Sequence, residues 1–109
     1  MSTFYGGPQL SSITRLYVTD STASYTVPSG YYAVARVTLF SQNGTGEVAW
    51  LKLNTYFLET LTASSGVENT QTRELFLAAG DAISIFADSN VPLSIFVNAH
   101  AVIQVYKVP

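Results

Sequence analysis

The run YTVPSGYYAVARVTLFS, Tyr25 to Ser41, decides the fold. Pro28-Ser29-Gly30 is a turn, because proline fixes φ and glycine accepts the positive φ that other residues avoid. After it Tyr31, Ala33, Ala35, Val37 and Leu39 alternate with Tyr32, Val34, Arg36, Thr38 and Phe40. Both sets are rich in aromatic and β-branched residues, so the spacing predicts a long strand covered on both faces. Such a strand belongs in the interior of a sheet.

Shorter strands flank it. Ile13 to Thr19 alternates, Asp20-Ser21-Thr22 turns, and Ala23 to Val27 leads into the long strand. On the other side, Gln42-Asn43-Gly44-Thr45-Gly46 reads as a hairpin loop, since Asn-Gly favours the primed turns that match strand twist. In the strand that follows, Val48, Trp50 and Lys52 share one face, and Ala49, Leu51 and Leu53 the other. A further strand is expected over Tyr56 to Leu61, and a polar loop over Thr62 to Gln71. Glu74 to Leu77 and Ala82 to Ala87 read as strands about a tight turn at Ala78-Ala79-Gly80-Asp81. From Leu93 to Val105 one face is wholly apolar, as one long strand or as two about a bend at Asn98-Ala99. Seven to nine short strands with no helical period give an all-β antiparallel sandwich in a single domain. The connections are too short for crossover helices.

Residues 1–12 stand apart as an N-terminal arm, with the sandwich domain at 13–109. Phe4-Tyr5-Gly6-Gly7-Pro8 puts adjacent aromatics into this arm, and two readings are open: docking on a neighbour, or simple disorder. The arm has neither a basic segment nor an apolar core, so no secretory leader is expected. Hydrophobic residues make up 48% of the 109, but charged residues only 11%, against about 25% in ordinary domains. Ser, Thr, Asn and Gln take the place of the missing charges. Burial by neighbouring subunits is the favoured reading, and a neutral hydroxylated surface the alternative. The net charge is −2 and the five basic residues are scattered, which argues against nucleic acid or an anionic membrane as partner. With no cysteine, disulfide frameworks and thiol nucleophiles are excluded.

No residues converge on chemistry. Acid–base catalysis needs titratable groups meeting in one pocket, yet most of the seven acids fall in predicted turns or at strand ends, where solvation explains them. Asp81 is expected to cap backbone amides in its turn. His100 is the only histidine, with no acid two residues away, and reads as structural. Asp88-Ser89-Asn90 opens like a calcium loop but lacks the glycine and distal glutamate. The chain therefore reads as a non-enzyme that needs no cofactor or metal. Carbohydrate would need an aromatic platform, for which Trp50 beside Lys52 and Asn54, or Tyr56 near Glu59, are the candidates. The alternation around Trp50 favours a core position for it instead. Arg36 needs a partner: Glu47 or Glu74 on an adjoining strand, or a group across a subunit interface.

Two signatures carry a resemblance. They are T-V-P-x-G-Y-Y at Thr26 to Tyr32 and L-x-L-x-x-G-D-x-I-x-I from Leu75 to Ile85. Over about a quarter of the chain they resemble C1q/TNF-like jelly rolls and the small β-sandwich virion proteins of tailed bacteriophages. The resemblance implies a jelly-roll sandwich and a homotrimer with uncharged faces buried between subunits. It also implies a virion protein assembled in the host cytoplasm. The expected role is capsid decoration (cement), binding the major capsid protein between capsomers, with Phe4 to Pro8 as the docking arm. The alternative is a tail-fibre tip or baseplate module that recognises host glycans through Trp50 or Tyr56.

Overall fold

A period-two pattern makes a strand wherever one set of residues can be buried. The computed structural model describes residues 9–42, 46–64, 66–88 and 97–109, and eight such strands form among them. They are β1 (Gln9–Val18), β2 (Ser21–Thr26), β3 (Tyr31–Gln42), β4 (Val48–Leu53), β5 (Tyr56–Thr62), β6 (Glu68–Leu77), β7 (Ala82–Asp88) and β8 (Val97–Lys107). All pairs are antiparallel, in two packed sheets ordered β1-β8-β3-β6 and β2-β7-β4-β5. Only β4 and β5 are consecutive strands that pair; every other connection passes from one sheet to the other. That strand order is a jelly roll.

The long strand lies inside its sheet, between β8 and β6. Its inner set, Ala33, Ala35, Val37 and Leu39, is fully buried, but the outer set is only half covered and Arg36 is exposed. The chain by itself therefore covers one face of β3, not two. Core pairing across β3 and β8 sets one alanine against one larger residue each time: Ala33 with Val105, Ala35 with Ile103, Val37 with Ala101, Leu39 with Ala99. The large member changes strand halfway along, so the inner surface is filled without a ridge or a trough. The second sheet supplies Leu51, Ile83 and Ile85 against it, all without exposed surface.

Several boundaries differ from those read in the sequence. β1 begins at Gln9, so residues 9–12 pair with β8 and belong to the sandwich rather than to an arm. The expected hairpin at Gln42–Gly46 does not join paired strands, because β3 already has β8 and β6 on its two sides and β4 pairs with β7 and β5. Asn-Gly encodes a local turn, not the strand that the chain meets next. Residues 43–45 themselves lie outside the described residues, as do 89–96 of the expected turn and last strand. The polar loop predicted to run to Gln71 ends earlier, at Val67, because β6 starts at Glu68. As an edge strand with one solvated side, β6 tolerates Glu68, Asn69 and Thr70. Glu47, taken as a solvated acid, is 3% exposed.

One end of the sandwich is tied by Asp81. Its carboxylate accepts from the Ala78 amide (2.9 Å), its own amide donates to the Ala78 carbonyl (3.0 Å), and Asn54 Nδ2 donates to its Oδ1 (3.3 Å). Asn54 forms the two-residue β4–β5 turn with φ +57°, a conformation asparagine tolerates better than most residues. Its Oδ1 accepts from the Ala82 amide at 2.9 Å, and its own amide donates to the Ala82 carbonyl at 2.7 Å. The Asp81 carbonyl also accepts from the Val27 amide (3.0 Å). Three turns thus share one hydrogen-bonded knot, and Asp81 caps amides as its position after Gly80 suggests.

Candidate functional site

With the apolar set of each strand turned inward, the other set forms two outer faces. On the second sheet the outward residues of β4 and β7 bring Trp50 beside Phe86, with ring centroids 5.1 Å apart and planes 18° from parallel. Phe57, opposite Lys52 on β5, meets Trp50 edge-on at 5.4 Å. The Lys52 ammonium stands 5.3 Å from the Trp50 centroid and 5.0 Å from that of Phe57. A cation over two rings is held by their quadrupoles. The cluster is bordered by hydroxyls, among them Ser24 and Ser84, whose oxygens lie 2.9 Å apart.

Trp50 is therefore not in the core. It is half-buried on the outer face, because Ala49 and Leu51 take the inward positions of β4. Tyr56 is 72% exposed but pairs with Leu53, on the face opposite Trp50. The two sequence candidates are not brought together. In their place stand Phe57 and Phe86, which sequence reasoning passed over. The signal was available: Phe86 is the aromatic member of an outward set otherwise made of Ala82, Ser84 and Asp88. Phe4 to Pro8 lie outside the described residues.

On the first sheet a row of rings crosses the strands. Tyr32 is stacked on Tyr106 (5.2 Å, 14°) and on Phe76 (5.8 Å, 5°). Phe76 is 76% exposed on the edge strand β6, and at the opposite edge Leu10, Ile13 and Tyr17 of β1 are exposed as well. Next to the ring row lies a shallow hollow of ≈ 270 Å³ lined by Val34, Arg36, Glu74, Val102 and Gln104. Arg36 and Glu74 are opposite each other in register, as one sequence reading paired them, yet they form no ion pair. Farther along the same face His100 meets Tyr17 edge-on at 6.2 Å.

An ion pair between described residues, Arg73 Nη1 to Glu59 Oε1 at 3.0 Å, is structural. Arg73 reaches from edge strand β6 to edge strand β5 and also donates to the Leu58 carbonyl at 3.1 Å, beside the bulge in β5. It latches the two sheets along one open side. Among the described residues no three of His, Cys, Asp and Glu come together as a metal-binding group.

Comparison with known proteins returns no match. No family model fits the chain, and neither a curated protein nor a solved structure matches it. The candidate sites therefore stand on their own geometry, as two outer faces with aromatic centres and few charges.

Proposed function

We propose that this chain is a structural virion protein of a tailed bacteriophage, a decoration protein that assembles as a homotrimer and stabilises the capsid between capsomers. The observation that carries the reading is a jelly-roll body whose outer faces present aromatic and aliphatic side chains with few charges. Such a surface is suited to burial against neighbours. Apolar burial contributes about 25 cal/mol per Å², so a contact of ordinary size opposes separation of capsomers under internal pressure. The mechanism is mechanical and calls on no catalytic group.

Residues 1–8 are the proposed docking arm, with Phe4 and Tyr5 as its anchors. Removing them leaves β1 intact from Gln9, so the sandwich should fold while shell binding is lost. Undiminished binding of the truncated protein to purified shells would remove the arm from the reading. Immunogold labelling of virions tests location directly, and gold over the head is the expected result.

A second reading is favoured by one observation, the outward position of Trp50 with Phe57 60% exposed beside it. A tail-tip module binding host glycans would use that cluster. Under this reading Trp50→Ala abolishes glycan-array binding in a folded protein, and gold labels the tail end.

A further inference from the structure

We infer that the outer face of the β1-β8-β3-β6 sheet is where copies of this chain meet, and that Glu74 pairs across that contact with an arginine of the neighbouring copy. The inference deepens the self-association in the reading above by assigning its surface, and it does not need the virion.

The face is large enough. Four strands about 4.8 Å apart, each near ten residues at about 3.4 Å, give roughly 650 Å² in plan. A stable interface covers about 800 Å² of accessible surface per partner, which the relief of upright rings readily supplies. Its chemistry also fits a contact centre, where aromatic residues and arginine concentrate while lysine is depleted. The ring row ends in exposed Phe76, and exposed Leu10, Ile13 and Tyr17 line the other edge.

The charges on the face indicate a second copy as the occupant. Register places Arg15, Val102, Arg36 and Glu74 in one row across the four strands. Among the described residues, counting His100 as neutral, the other charge on the outward positions is Glu68 at the far end of β6. Two positive and two negative groups make the face neutral, hence free of self-repulsion. An external partner of either sign would meet a mismatch, whereas a copy of the same face offers a carboxylate for each arginine. Arg36 and Glu74 line the hollow, and although opposite in register they are not joined. Both remain free to turn outward.

The test uses two variants of the full chain. Glu74→Arg makes the row wholly positive, and the double variant Arg15→Glu/Arg36→Glu makes it wholly negative. By light scattering at tens of micromolar, the wild type is expected as a multiple of 11.8 kDa. Each variant alone should lose the assembled species, and an equimolar mixture should recover it. Circular dichroism and a thermal melt confirm that each variant is folded. A monomeric wild type overturns the inference, and any assembled mass other than three chains removes the trimer from the functional reading while the variants still test the face; virion labelling tests location in either case. An assembled wild type whose variants associate equally well overturns only the choice of face. A mixture that stays monomeric overturns the pairing of Glu74.

Discussion

Asp81 carries more of the structure than a half-buried turn position implies. Its carboxylate holds the Ala78 amide and the Asn54 side chain, so removal leaves donors from two turns without partners. Losing hydrogen bonds to a charged acceptor costs about 1.5–3 kcal/mol each when buried and less when water can replace them. Asp81→Ala should therefore lower stability by about 1–2 kcal/mol. In urea the midpoint should fall while the slope stays constant, since the surface exposed on unfolding is unchanged. The turn chemistry behind this was legible at Gly80-Asp81. What the residues could not disclose was the reach to Asn54, because a contact between two turns depends on how the sheets are stacked.

At the scale of strands, β3 and β8 are matched by volume as well as by register. Ala35 faces Ile103 in the core of one sheet, and both are fully buried. Ile103→Ala opens a cavity and should cost about 2–5 kcal/mol. Ala35→Ile overfills the same layer and should cost about 1–3 kcal/mol. Introduced together, the two substitutions exchange large for small across one pair. The double variant should be more stable than the sum of the two losses predicts, by about 1 kcal/mol or more in a double-mutant cycle. Strict additivity would mean that the two side chains do not share a space. The alternation that identifies these strands was plain in the sequence, including the apolar face of residues 97–105 and the interior placement of β3. Their partners were not. Asn43-Gly44 and Gly80 marked reversals of direction, and a turn residue reports its own φ and ψ rather than the sheet on the far side. Trp50 was misplaced for a related reason: both faces of β4 carry apolar residues, and only the packing of the second sheet decides which set turns inward.

For the molecule as a whole, the two outer faces carry few charges, in keeping with a sequence that is 11% charged. Their aromatic centres had signals of their own, Phe76 standing in an otherwise polar set and Phe86 among Ala82, Ser84 and Asp88. Trp50 and Tyr56 drew attention first as alternative aromatic platforms beside polar residues, and the structure puts them on opposite sides of the sheet. The strand order has a further consequence in time. β1 forms its ladder with β8 alone, and β8 also fills one side of β3. A ribosome makes β1 well before β8, so β1 must wait unpaired while all the strands between them are synthesised. Neither can β3 complete its sheet in that interval. Long-range pairing of this kind delays folding until the far partner arrives. Chains stalled before Val97 should be cut rapidly by protease, and chains that expose the sequence through Lys107 outside the exit tunnel should become resistant in a single step. β8 thus acts as a check on the chain that precedes it: a chain broken anywhere between β1 and β8 leaves apolar edges open for quality control to find.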